Sequence, residues 1–121
     1  MPDGQDEFEP SPYSWNSVSN MLYLEQPAGV GFSYTDITDP KPYYDDETSA
    51  KYNLEALQKF FSLFPEYKSN DFFITGESYA GIYIPYLAHE ILTKDETKIN
   101  LKGIMVINGC TNWTLDTNLA F

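Results

Sequence analysis

The stretch ITGESYAG, Ile74–Gly81, places a serine on a turn of small residues between an apolar run and a helix-like one. Gly76 stands two residues before Ser78, Ala80 two after, and Gly81 follows. In a nucleophile elbow a strand runs into a sharp turn and straight into a helix. Small neighbours are required because strand and helix pack closely there, and the turn pushes the hydroxyl clear of the sheet. Ala80 takes the fifth position of G-x-S-x-G. Loosened to admit alanine, the pattern arises by accident in roughly one chain in ten of this length. The surrounding sequence must therefore decide between a nucleophile and an ordinary turn serine.

Upstream, DFFIT is a compact strand candidate. Downstream, Ala80 to Leu92 reads as a helix with Ile84, Leu87, Ala88 and Ile91 as its buried stripe, and Pro85 lies near the first turn, where a missing N–H costs least. An earlier helix begins at about Asp46. Ala50, Leu54, Leu57, Phe61 and Phe64 fall on one face, Asp45 and Asp46 offer a cap and favourable charge, and Pro65 ends it. Two more strands are expected, at Met21–Leu24 and in LKGIMVING. Strand, helix, strand, helix, strand with apolar strands is the pattern of a parallel sheet covered by helices. The expected fold class is α/β, a three-stranded parallel piece of an α/β-hydrolase fold with flanking helices. Residues 1–121 read as one partial domain, with residues 1–11 irregular. Three strands with exposed edges make a poor complete domain, so the chain reads as an internal slice of a larger protein.

The totals exclude several functions. With 42% apolar and 17% aromatic residues the chain can bury a core. A net charge of -11 opposes binding to nucleic acid or an anionic membrane, both held mainly by Lys and Arg. Acidic balance is otherwise the ordinary property of a solvated surface. No run approaches the roughly 20 apolar residues of a membrane span. MPDGQDEFEPSP is acidic and reads as a lead-in without an export signal. The single cysteine, Cys110, has no basic neighbour in sequence and reads as an inert small residue. Asn112 begins the sequon NWT, a glycosylation candidate.

Glu77 beside Ser78 has two readings. It is a solvated carboxylate at a helix start, stabilised by the dipole, or it is protonated in an acidic medium and donates a hydrogen bond to a substrate carboxylate. A charged carboxylate beside the nucleophile would be an odd choice for a hydrolase of neutral esters, since a negative charge opposes a developing oxyanion.

GESYAGIYIPYLA, Gly76–Ala88, together with SPYSWNSVSNMLYLEQPAGVGFSYT, Ser11–Thr35, resembles the serine carboxypeptidase family in order and spacing, and MVINGCTN resembles its block after the nucleophile helix. The resemblance implies Ser78 as nucleophile, the backbone N–H of Tyr79 as half of an oxyanion hole, and Glu77 as the acid that binds the substrate's C-terminal carboxylate. It implies peptides with a free C-terminal carboxylate as substrates, acidic working pH, no cofactor, no metal, and a parent in the secretory pathway (lysosome, vacuole or outside the cell). Gly76, Ala80 and Gly81 are the turn's structural residues. PAGVGFSY carries no assigned catalytic role; its glycines allow tight backbone packing, and Tyr34 stands where a dinucleotide loop would need a third glycine.

The family's general base is missing from the pattern. His89 is the one histidine, eleven residues beyond Ser78, which at 1.5 Å per residue is about 16 Å down the same helix. It reads as structural or solvent-facing. The triad Asp and His and the upstream glycine-rich oxyanion block are not found, so the chain alone is expected to be inert. A related acyltransferase or esterase, and a truncated non-catalytic module, are the alternative readings.

Overall fold

The computed structural model describes residues 9–35 and 44–112. After a short 3-10 turn at Trp15–Ser17, the first α-helix is α1, Asp46–Leu63. Asp45 caps it by accepting a hydrogen bond from the Thr48 backbone N–H at 2.7 Å, which satisfies one of the otherwise orphaned donors of the first turn. Its buried face carries Ala50, Leu54, Leu57 and Phe61 as expected, joined by Ser49 and Asn53. Phe64 is a correction: it lies one residue past the helix and is exposed, its ring tilted against Phe60 at 5.1 Å. Pro65 then opens a short 3-10 turn, Pro65–Tyr67.

Strand β1, Phe72–Glu77, leads through Ser78 and Tyr79 into helix α2, Ala80–Lys94, and α2 returns the chain to strand β2, Leu101–Ile107. The two strands pair in parallel, with Ile74 opposite Ile104 and Glu77 opposite Ile107, and one irregularity between Phe72 and Phe73. Helix α2 packs on both strands and α1 packs on α2. The shared core consists of Leu54, Leu57 and Phe61 from α1, Leu87 and Ile91 from α2, and Ile99. Phe72, Ile74 and Leu101 close it from the sheet. Along β1 the intervening residues Phe73, Thr75 and Glu77 are exposed, so the strand buries alternate side chains only.

At the turn into β2, Asp95 holds the backbone together. Its carboxylate accepts from the N–H groups of Thr97 (2.9 Å) and Ile99 (2.6 Å), from the Thr97 hydroxyl (2.7 Å) and from Gln58 of α1 (2.9 Å). Partial burial works against its charge, but these hydrogen bonds outweigh it and hold its titration below the ordinary carboxylate value.

The expected third strand does not form among the described residues, where the sheet has two strands. Met21–Leu24 has no ladder. Leu22 and Leu24 line a cavity of about 1030 Å³ together with Phe72 to Thr75 of β1. The apolar run borders the same space as β1 without forming a ladder with it. After it the chain folds on itself. Glu25 accepts from the Phe32 N–H (2.8 Å) with its carboxylate and from the Ser33 hydroxyl (2.6 Å) with its carbonyl. Gly31 has φ +57°, and a Cβ there would fall on the Glu25 carboxylate. The glycines of PAGVGFSY thus serve a tight local turn. Residues 9–11 carry no regular structure; residues 1–8 of the expected lead-in lie outside the described residues.

Candidate active site

Ser78 is held in left-handed backbone geometry, φ +61°, between the last residue of β1 and the start of α2. For a residue other than glycine this conformation is uncommon and mildly strained, so the surroundings must enforce it. Two restraints come from the last residue of β2 and the chain just after it. The Ser78 N–H donates to the Ile107 carbonyl at 3.0 Å, which extends the ladder one residue past β1. The Ser78 carbonyl accepts from Cys110 at 2.8 Å and from Gly81, in the first turn of α2, at 3.0 Å. Ser78 is exposed.

The turn's small residues each fill a steric requirement. A Cβ on Gly76 would come within 2.6 Å of the Ala80 methyl carbon and 3.2 Å of Ile84 Cδ1. One on Gly81 would lie 2.5 Å from the Cys110 carbonyl oxygen and 2.9 Å from its nitrogen. Gly76 leaves room for the Ala80 methyl group, and Gly81 is where the backbone after β2 passes. That passage is made by Asn108, φ +45°, and by Gly109, whose own missing Cβ admits Gly81 Cα at 3.1 Å. MVINGCTN therefore supports the serine through backbone groups, a role its side chains do not advertise. The Asn-Gly pair is the one signal for it, being the favoured sequence for positive-φ turns.

Tyr79 occupies the N-cap position of α2 and already has helical geometry (φ -60°, ψ -16°). Its ring lies against Tyr83 at 4.8 Å, and its hydroxyl donates to Asp46 at 3.1 Å from Oδ1 and 3.3 Å from Oδ2. Hydrogen bonding to that carboxylate, with a smaller contribution from desolvation, pushes the phenol above its ordinary titration range. Glu77 ends β1 on the exposed face of the strand. The structure thus brings Gly76, Glu77, Ser78, Tyr79, Ala80 and Gly81 into one turn, with Cys110 half-buried beside it.

His89 is exposed on α2, and its carbonyl accepts from the Thr93 hydroxyl at 2.7 Å. Asn112 is exposed, while Trp113 and Thr114 of its sequon lie outside the described residues. Among the described residues no group of three or more His, Cys, Asp or Glu is arranged to hold a metal ion, and no helix is long and apolar enough to cross a membrane.

A strand, a serine at positive φ, and a helix, with glycines where strand and helix touch, is the architecture of an elbow. Comparison with known proteins supplies the family: the serine carboxypeptidase profile matches residues 1–121. The chain belongs to the serine carboxypeptidase family. It is 51% identical to the lysosomal protective protein of Mus musculus over 98% of this chain and 24% of that protein. It is 46% identical to the venom serine carboxypeptidase of Apis mellifera over 83% of this chain and 22% of that one. Among solved structures, the crystal structure of Kex1(delta)p, a prohormone-processing carboxypeptidase from Saccharomyces cerevisiae, superposes with a TM-score of 0.69. The identity is 34%, over 80% of this chain and 23% of that chain. The chain thus spans about a quarter of the length of these serine carboxypeptidases, in keeping with the slice expected from its bare sheet edges.

Proposed function

We propose that the complete protein carrying this segment is a serine-type carboxypeptidase, and that residues 1–121 are part of its α/β-hydrolase domain. Ser78 Oγ attacks the carbonyl carbon of the substrate's last peptide bond. A general base takes the hydroxyl proton and returns it to the departing amine, leaving an acyl-enzyme that water hydrolyses with release of the acid. The Tyr79 backbone N–H faces the developing oxyanion as one of its donors. Glu77, protonated in an acidic medium, donates to the C-terminal carboxylate and so selects the end of a peptide chain over its interior.

The observation that carries this reading is Ser78 at φ +61° with both its backbone N–H and its carbonyl tied down. An ordinary surface turn has no reason to hold a serine under that restraint. His89 does not serve as the base, since it is exposed on α2 well beyond the first turn; base and acid belong to residues outside this segment, and the 121-residue piece alone is inactive. The name of the mouse relative, a lysosomal protein, supports a parent in the secretory pathway, where Asn112, exposed, is the glycosylation candidate.

The test is release of the C-terminal amino acid from a blocked dipeptide by the complete protein. Ser78→Ala is expected to lower kcat by about 10⁴-fold or more. A Ser78→Ala protein that hydrolyses the dipeptide at the parental rate sinks the proposal.

A further inference from the structure

We infer that Asp46 is a positioning residue for the Ser78 turn, acting through the Tyr79 hydroxyl on the first peptide N–H after the nucleophile. This rests on the carboxypeptidase reading above and assigns a role to a residue 33 positions earlier in the chain.

Asp46 and Asp45 both stand where a helix start favours negative charge, and either is suited to capping. The structure divides the work. Asp45 alone accepts from the Thr48 N–H. Asp46, half-buried, turns its carboxylate to Tyr79, with both oxygens within 3.3 Å of the hydroxyl. An O–H donating to a carboxylate is roughly twice as strong as a neutral pair. This one ties the N-terminal end of α1 to that of α2.

Two rotatable bonds separate the Tyr79 phenol from its backbone. With the ring packed on Tyr83 and the hydroxyl held by Asp46, the side chain fixes Tyr79, and with it the peptide plane between Ser78 and Tyr79. The peptide before Ser78 is held by the Ile107 carbonyl, and the Ser78 carbonyl, in the same peptide plane as the Tyr79 N–H, accepts from Cys110 and Gly81. Asp46 therefore adds a side-chain restraint from α1 to those backbone bonds, at a turn that has positive φ at its centre. An oxyanion donor works only when aimed at the transition state's oxygen, and small displacements of such groups cost rate without costing substrate binding.

The experiment uses the complete protein and compares the parent with Tyr79→Phe, Asp46→Ala, their double variant, Asp46→Asn and Ser78→Ala, measuring kcat and KM on a blocked dipeptide alongside thermal unfolding. Tyr79→Phe keeps ring and backbone N–H and removes only the hydroxyl. It and Asp46→Ala are each expected to lower kcat roughly ten-fold with KM changed less than two-fold, short of the 100-fold or more that follows loss of a whole oxyanion donor. The double variant should lose no more than either single one, since both remove the same tie. Asp46→Asn, which keeps an acceptor oxygen, should recover most of the rate. Parental kcat in Tyr79→Phe, additive losses, or losses that track thermal unfolding would each overturn the inference while an inactive Ser78→Ala leaves the carboxypeptidase reading standing. An active Ser78→Ala overturns both. Should Asp46→Ala fail to fold, Tyr79→Phe and Asp46→Asn decide the matter between them.

Discussion

Replacing Gly81 with alanine tests the packing of the turn directly. On propensity alone the change should help, because alanine in a helix is favoured over glycine by about 0.5–1 kcal/mol. The structure predicts the opposite. The new methyl group would lie 2.5 Å from the Cys110 carbonyl oxygen, 2.9 Å from its nitrogen and 3.0 Å from its carbonyl carbon. These are backbone atoms, so no rotamer change relieves the contact. Overpacking of this kind costs about 1–3 kcal/mol. Moving Cys110 away also strains its 2.8 Å hydrogen bond to the Ser78 carbonyl, a further 0.5–1.5 kcal/mol or so if lost. The net expectation is destabilisation by about 1–3 kcal/mol, with the sign set by the collision. Denaturant unfolding of the complete protein should show a lower midpoint at unchanged slope. Activity should fall further than stability alone explains, since the Ser78 carbonyl and the hydroxyl share one short turn. A Gly81→Ala protein at least as stable as the parent would refute the reasoning, because propensity would then have prevailed and the backbone after β2 could not run where it is placed.

Gly76→Ala should also destabilise, by contact with the Ala80 methyl at 2.6 Å; adding Ala80→Gly should recover part of the loss, and a double variant worse than the single one would contradict the geometry. Glu77→Gln should shift the pH dependence of C-terminal hydrolysis toward neutrality, because an amide donates a hydrogen bond at any pH. An unchanged profile would remove Glu77 from carboxylate binding. Asp95 titrates below its ordinary value in the folded chain, so its stabilisation is fully present above the unfolded value of about 3.9 and is lost as pH falls through the lower folded one. The stability gap between parent and Asp95→Ala, followed by urea unfolding, should therefore hold from pH 7 to 5 and narrow below about 4; a gap that closes by pH 5 would show that the Asp95 charge is not what holds that turn.

The two helices were legible because their signals are local. Leu54, Leu57 and Phe61 recur at helical spacing behind an Asp45 cap, and Ile84, Leu87 and Ile91 do the same behind a turn of small residues. The Ser78 elbow was legible for the same reason, as strand, turn and helix follow one another without a gap. Phe64 was misplaced because periodicity does not register where a helix stops, and Pro65 ended it one residue early. Met21–Leu24 has the apolar character of a buried strand, but pairing depends on which neighbour lies alongside, and in the described sheet β1 pairs with β2 and not with this run. What holds Ser78 was least legible. The Ile107 and Cys110 bonds are made by backbone groups that every residue possesses. The Asp46–Tyr79 bond joins side chains from two helices whose relative placement no local pattern encodes.

The backbone angle at Ser78 also limits which side chains evolution can try there. At φ +61° a residue with a single substituent on Cβ is tolerated, while a β-branched one is a steric outlier. Threonine, the other aliphatic hydroxyl, is therefore a poor successor although its chemistry is nearest. Cysteine or aspartate would sit in the turn with less distortion, so within this framework a change of nucleophile is sterically easier than the replacement of one alcohol by another.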